Sequence, residues 1–248
     1  MIEFGVALAA IRKRVEADLK KTPHSRAHVL AAVVTLLEKT LIRIGNREYA
    51  RANNSFGLTT LRNDHVQING SAIIFHFRAK SGMQTVELND RPLARVVKRC
   101  QTLPGHALFQ YLDANGLPQC VDSGAVNAYL REITGQPFTA KNFRTWAASV
   151  MAAQALCELS PVSSESALKR NVLKAVEAAS SRLGNTRAVC RKSYVHPAVF
   201  EAYRAGVTIA GAVKLHGPRR AYFSAEETAV LALLRRKWRG SRGDKAAA

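Results

Sequence analysis

The hydrophobic residues of this chain change their spacing twice, and this limits the possible folds more than any other feature. Early in the chain they recur at helical spacing, at Leu30, Val33, Val34, Leu37 and Leu41. The period then changes to the alternation of a strand, at Ile73, Phe75 and Phe77. Helical spacing returns after Pro92. We therefore predict an α+β fold that is mostly α-helical, with one small antiparallel sheet near residues 58–88.

Turn and cap residues indicate where these segments end. Gly45 reads as the residue just past the first long helical pattern, and Asn69-Gly70 is a strong hairpin signal. A second tight turn is expected at residues 80–82. The later helices are predicted near residues 93–100, 126–133, 139–156, 168–183, 186–195 and 224–238. Thr139 and Ser224 are the expected N-caps of the helices that they precede, and Gly184 is expected to end the helix at 168–183. From Arg235 to Lys245 we expect a frayed basic tail.

The charge balance favours a polyanionic partner. Lys plus Arg number 37 and Asp plus Glu number 18, which gives a net charge of +19 with neutral histidines. No apolar run approaches the roughly 20 residues of a membrane span, so we expect no membrane partner. No cysteine pair has the Cys-x-x-Cys spacing of zinc or redox motifs, and no Gly-rich phosphate loop is present. We therefore predict no metal site and no cofactor.

Five short segments contain the residues that could do chemistry. They are Leu41-Ile-Arg-Ile-Gly-Asn-Arg-Glu-Tyr49, Phe77-Arg-Ala-Lys-Ser-Gly82, Phe138-Thr-Ala-Lys-Asn-Phe-Arg-Thr-Trp146, Leu183-Gly-Asn185 and Cys190-Arg-Lys-Ser-Tyr194. Two arginines can grip the nonbridging oxygens of a phosphodiester and remain charged at any working pH. A lysine in a turn can protonate a leaving oxygen, and a tyrosine oxygen can form a covalent phosphoester.

Taken together and in order, these segments resemble the catalytic domain of type IB DNA topoisomerases, in the short bacterial and viral branch. The resemblance also includes Ser55-x-Gly-Leu-x-x-Leu-Arg62 and covers residues 1–205. It implies leading helices over 1–57, the sheet over 58–88 and a helical core with the nucleophile over 89–205. Residues 206–248 would form a C-terminal extension with a short helix and the basic tail.

The resemblance assigns a role to each matching residue. Arg43 and Arg144 would be the clamp arginines, Lys80 the general acid, and Tyr194 the nucleophile that becomes a 3′-phosphotyrosine. Asn185 occupies a position where many members have histidine, and it would donate a hydrogen bond to a nonbridging oxygen. Lys141 and Tyr49 match positions that contact DNA. The implied activity is relaxation of supercoiled double-stranded DNA without ATP or metal, by a monomer in the cytoplasm that associates with the nucleoid.

Two features depart from the family pattern. Relatives usually have glycine before the hairpin lysine, and this chain has Ala79. Short members also have a small β-rich N-terminal DNA-clamp domain, and the sequence given begins almost at the first catalytic-domain helix. We expect that domain to be absent, and we expect DNA affinity to be lower as a result because fewer phosphates are neutralised.

Two other functions remain open from the sequence. A tyrosine recombinase or integrase is similar in chemistry, although such enzymes typically have histidine where Lys141 stands. A noncatalytic basic DNA-binding module would need none of the five catalytic residues. Two neighbours of Tyr194 also merit inspection: His196 as a local proton carrier, and Cys190 as a thiol one helical turn away.

Overall fold

Residues 1–159, 162, 164–210 and 221–243 are described by a computed structural model, with side chains up to residue 236. They form two compact units. The sheet unit is Ala10–Phe143, and the helical unit combines Met1–Ala9 with the chain from Arg144 onward. The predicted fold class, mostly helical α+β, is confirmed. None of the described helices has the length and apolar character needed to cross a membrane.

Helices and short strands follow one another along the chain. In and around the sheet unit they are α1 Ile2–Asp18, α2 Arg26–Thr40, α3 Arg47–Asn53, β1 Val66–Asn69, β2 Ala72–Ala79, β3 Gly82–Asn89, α4 Arg91–Cys100, β4 Gln110–Leu112, β5 Pro118–Cys120, α5 Ser123–Thr134 and α6 Ala140–Glu158. The later helices are α7 Glu165–Leu183, α8 Arg187–Ser193, α9 Pro197–Arg204 and α10 Ala225–Gly243. Helices α1 and α6 each have residues in both units.

Helix α2 is the centre of the sheet unit. Ten of its fifteen residues are buried, and it packs against α4, α5, β3 and β4. Ser25 caps its start, where its hydroxyl accepts from the His28 backbone N–H at 3.4 Å. The helix ends at Thr40 because Leu41 adopts a left-handed conformation with φ 58°. The expectation that Gly45 directly follows the C-cap was therefore wrong, because the C-cap is Leu41.

The three-stranded sheet has the order β1-β2-β3, and both pairings are antiparallel. Its buried face carries Ile73, Phe75, Phe77 and Ala79, as the alternation predicts. The sheet begins at Val66, so the predicted start at residue 58 was wrong. Residues 58–60 and 63–65 are instead single turns of 3₁₀-helix. A second small sheet, β4 with β5, and the helix α3 were not predicted.

A buried carboxylate joins α1 to α5 inside the sheet unit. Asp18 is 1% exposed and accepts a 2.8 Å hydrogen bond from the Tyr129 hydroxyl. Arg14 reaches the same carboxylate at 2.8 Å, and Lys21 reaches it at 2.7 Å. Burial raises the pKa of Asp18, but the hydrogen bonds from Lys21, Tyr129 and Arg14 outweigh it, so the net pKa lies below its ordinary value.

In the helical unit, Trp146 is a core residue. It is 3% exposed, and its indole N–H donates to the Glu227 carboxylate at 3.0 Å. A Cβ added to Gly5 would lie 2.6 Å from the Trp146 ring, so only glycine lets α1 approach so closely. Ser224 caps α10 as predicted. The helix continues to Gly243, so the expected fraying from Arg235 is wrong over that range; residues 244–248 lie outside the described residues.

Candidate active site

Arg144 is buried in α6, with 3% of its surface exposed. Its Nη2 donates a 2.9 Å hydrogen bond to the carbonyl of Leu183, the last residue of α7. A helix C-terminus carries partial negative charge, which stabilises the guanidinium there. The Cζ atom of Arg144 also lies 5.1 Å from the ring centroid of Tyr194. Arg144 therefore connects the end of α7 with the candidate nucleophile.

Tyr194 is half-buried at the C-terminal end of α8, where its backbone N–H donates to the Cys190 carbonyl at 3.0 Å. Ser149, fully buried in α6, holds the chain on the other side of it. The Ser149 Oγ accepts from the His196 backbone N–H at 2.9 Å and donates to the Thr145 carbonyl at 2.7 Å. Sequence reasoning missed Ser149, since a serine within an Ala-rich helix carries no signal of a distant partner.

Asn185 lies between two capped helices. Gly184, with φ 61°, ends α7, and the Asn185 backbone N–H donates to the Ser180 carbonyl at 3.1 Å. Thr186 then caps α8, accepting from the Val189 N–H at 3.3 Å. These caps fix Asn185 two residues after the carbonyl that Arg144 bonds. The predicted helix end at Gly184 is confirmed.

The two neighbours of Tyr194 have structural roles. Cys190 is fully buried; burial raises the pKa of its thiol, although the Arg144 charge opposes the shift. His196 caps α9, where its Nδ1 accepts from the Ala198 N–H at 3.2 Å. Burial lowers the pKa of His196 and the positive chain terminus adds to this, while Glu201 opposes the shift. Because the cap occupies Nδ1, only the other ring nitrogen could exchange a proton.

Arg43 lies in the sheet unit, half-buried in the segment between α2 and α3. Its carbonyl accepts from the Leu58 N–H at 2.9 Å, and the next carbonyl, of Ile44, accepts from the Thr59 N–H at 2.8 Å. A Cβ on Gly57 would overlap the Arg43 carbonyl oxygen and lie 2.6 Å from the Gly45 nitrogen. The absence of a side chain at residue 57 therefore lets the Arg43 segment lie against the 3₁₀ turn.

Lys80 occupies the turn of the β2–β3 hairpin, as predicted. Ala79 pairs with Gly82, so Lys80 and Ser81 are the two central residues of the turn. The Lys80 side chain is exposed, and its Nζ lies 5.1 Å from the ring centroid of Tyr49. Tyr49 lies in the first turn of α3, and the residue is 39% exposed.

Lys141 is exposed in the first turn of α6, three residues before Arg144. The helix begins after Thr139, as predicted, but the Thr139 hydroxyl acts as a donor, to the Asn142 Oδ1 at 3.2 Å. In the helical unit, the structure thus places Arg144 against Tyr194 and against the end of α7, two residues before Asn185. Lys80 and Tyr49 meet in the sheet unit, which also holds Arg43. Among the residues with described side chains, no group of three His, Cys, Asp or Glu residues is close enough to hold a metal ion.

Comparison with known proteins identifies the family. The model of the family described as eukaryotic DNA topoisomerase I, catalytic core, matches residues 1–212. The DNA topoisomerase 1B of Acanthamoeba polyphaga mimivirus is 28% identical over an alignment of 212 residues, and the match covers 82% of this chain and 63% of the viral enzyme. The chain therefore spans less than two thirds of that relative. Because the family match covers most of the chain, the protein belongs to the DNA topoisomerase I catalytic-core family, in its type IB form.

Proposed function

We propose that this protein relaxes supercoiled double-stranded DNA, by cutting one strand through Tyr194 and resealing it. The observation that carries the proposal is the stacking of the Tyr194 ring against Arg144, 5.1 Å from its Cζ. A tyrosine whose ring lies against a buried guanidinium suits attack on a phosphodiester, because the negative charge that develops is met by a fixed cation. The family membership and the +19 charge support DNA as the substrate.

The reaction is a transesterification in which no net bond energy is lost. The Tyr194 hydroxyl gives up its proton to water and bonds to the phosphorus, while the bond from phosphorus to the 5′-oxygen breaks. Lys80 protonates that oxygen, leaving a free 5′-hydroxyl and a 3′-phosphotyrosine. Arg43, Arg144 and Asn185 stabilise the nonbridging oxygens in the pentacoordinate state. The reverse steps reseal the strand, so neither ATP nor a metal ion is required.

The proposal extends to the setting of the enzyme. We propose a monomer that binds DNA through Lys141 and Tyr49 in addition to the catalytic set, and that needs no membrane. Asn185, at the position where the short bacterial branch also has asparagine, favours a bacterial-type enzyme acting on the nucleoid in the cytoplasm.

Plasmid relaxation in EDTA without ATP tests the activity, with Tyr194→Phe as the control. We expect the native chain to relax the plasmid and the variant, which lacks the attacking oxygen, to be inactive. A duplex with a nick near the cleavage site traps the covalent adduct and separates the remaining outcomes. An adduct without relaxation would mean that the site cleaves DNA but that the chain lacks the clamp needed to hold it. Absence of any adduct would leave a DNA-binding module and overturn the catalytic proposal.

A further inference from the structure

Lys80 has one neighbour in the structure that the proposed mechanism does not use. Its Nζ lies over the face of Tyr49, 5.1 Å from the ring centroid. An ammonium within about 6 Å of an aromatic centroid is attracted by the negative face of the ring. Within the part of the chain that the structure describes, Lys80 forms no ion pair with a carboxylate. The aromatic ring is therefore what orients this ammonium.

The backbone brings the two residues together through a pair of hydrogen bonds. The Phe56 N–H donates to the Arg78 carbonyl at 2.7 Å, and the Ser55 hydroxyl lies 3.4 Å from the Ala79 carbonyl. These contacts tie the segment that follows α3 to the last two residues of β2, directly before the turn. Because Lys80 is the next residue of the hairpin, these two hydrogen bonds fix the Lys80 backbone relative to α3.

Helix α3 presents Tyr49 because its start is capped. The Asn46 side chain accepts from the Tyr49 backbone N–H at 2.8 Å, so the tyrosine is held in the first turn. No residue of α3 is buried, so a large side chain on this helix gains little from burial. The ring of Tyr49 is instead available to a cation.

We propose that Tyr49 is a positioning residue for Lys80, holding its ammonium through the face of the ring so that the general acid is oriented before DNA is cut. The proposal rests on the proposed function, in which Lys80 protonates the leaving 5′-oxygen. A free lysine side chain populates many rotamers, and only a few would place the ammonium on that oxygen. An aromatic face that restricts those rotamers would raise the rate of proton transfer, in addition to any contact that Tyr49 makes with DNA.

A substrate that needs no general acid tests the proposal. Replacing the bridging 5′-oxygen with sulfur gives a thiolate leaving group, which departs without a proton because thiols are far more acidic than alcohols. Single-turnover cleavage of the oxygen and sulfur duplexes is measured for the native chain, Lys80→Ala, Tyr49→Leu and Tyr49→Phe. Thermal unfolding of each variant checks that it is folded.

We expect Tyr49→Leu to slow cleavage of the oxygen duplex about three- to thirtyfold, the range of cation–π interactions from exposed to desolvated sites. The sulfur duplex should restore most of the rate of both Tyr49→Leu and Lys80→Ala. Tyr49→Phe keeps the ring face and removes only the hydroxyl, so its defect on the oxygen duplex should be smaller than that of Tyr49→Leu, and the sulfur duplex should leave that smaller defect in place.

Other outcomes would overturn the inference. An unchanged rate for Tyr49→Leu, or a defect that the sulfur duplex does not relieve, would mean that Tyr49 does not act through Lys80. An equal defect in Tyr49→Phe would assign the effect to the hydroxyl, as expected of a direct phosphate contact. If the native chain forms no adduct on either duplex, the proposed function itself fails, which is a separate result.

Discussion

At the scale of single residues, the backbone around Tyr194 depends on one hydroxyl. Ser149 accepts from the His196 N–H and donates to the Thr145 carbonyl, and it is fully buried. A buried N–H that loses its acceptor costs about 1–3 kcal/mol. The chain can recover part of this cost by moving residues 194–196, which would displace the tyrosine.

We therefore expect Ser149→Ala to lower the free energy of unfolding by about 1–3 kcal/mol and to slow covalent adduct formation at least tenfold. Urea unfolding and single-turnover cleavage measure the two effects. Ser149→Thr keeps the hydroxyl and is the matched comparison. If Ser149→Ala cleaved at the native rate, the hydroxyl would have no part in positioning Tyr194.

Gly57 should position the Arg43 segment in a similar way. A Cβ at this position would overlap the Arg43 carbonyl oxygen, so Gly57→Ala must move the arginine segment. We expect cleavage to fall by about two orders of magnitude, since displacements of about 1 Å have costs of that size. Gly70→Ala is the control: its Cβ would meet nothing within 4 Å, although its φ of +63° strains any side chain.

The comparison separates positioning from stability. Both alanine variants lose stability, but only Gly57→Ala should lose activity out of proportion to the folded fraction. Equal activity of the two variants, measured on folded protein, would contradict the role assigned to Gly57.

At the scale of secondary-structure elements, the join between α1 and α5 makes a pH-dependent contribution to stability. The pKa of Asp18 is lowered in the folded state, so its contribution is fully present above the unfolded pKa near 4 and is lost as the pH falls through the lower folded value. We expect Tyr129→Phe, which removes one hydrogen bond to the carboxylate, to cost about 1–3 kcal/mol at pH 7.

The cost should shrink as the pH falls through the lowered folded pKa of Asp18, where the carboxylate becomes protonated. Urea unfolding followed by circular dichroism, in steps from pH 7 down to the acid limit at which the protein still folds, measures the change. A cost that stays constant over the whole series would show that the bond to Asp18 does not depend on its charge.

Elements with strong periodicity could be predicted from the sequence, and those without it could not. The alternation of β2 and the helical spacing of α4, α5 and α7 arise because each element buries one face, and the apolar residues occur at the buried positions. Helix α3 buries no residue, and the strands of the second sheet have three residues each, so neither has a measurable period. The end of α2 was missed because a leucine, not a glycine, takes the left-handed position.

The candidate site divides in the same way. Most of the predicted site residues lie at the ends of elements or in turns, where short sequence motifs can be recognised; these are Arg43, Lys80, Asn185 and Tyr194. The contacts that hold the site join residues that are far apart in sequence, Ser149 with His196, Arg144 with Leu183 and Gly57 with Arg43, and no motif reveals these pairings. Their roles in catalysis remain predictions that the experiments above test.

At the scale of the whole molecule, the net charge of +19 should dominate DNA affinity. Neutralising phosphates releases counterions, so affinity falls with salt in proportion to the number of contacts. The Tyr194→Phe variant is used because it binds DNA without cutting it. Raising the salt from 50 to 200 mM should lower its affinity for DNA about 10³-fold or more, the loss typical of six or more phosphate contacts. Fluorescence anisotropy with a labelled duplex measures this slope without cleavage. A nearly flat slope would argue against a binding surface built on charge.

The paired hairpin also limits how the sequence can diverge. Ala79 and Gly82 close a two-residue turn, and the buried face of β2 repeats every second residue. Losing or gaining one residue in β2 would turn its apolar face to solvent, so changes in length are tolerated only in pairs. Two residues per strand would shift Lys80 by about 7 Å, beyond the reach of a proton transfer. Natural variation in this hairpin should therefore occur as substitutions at outward positions such as His76, while deletions and insertions are eliminated.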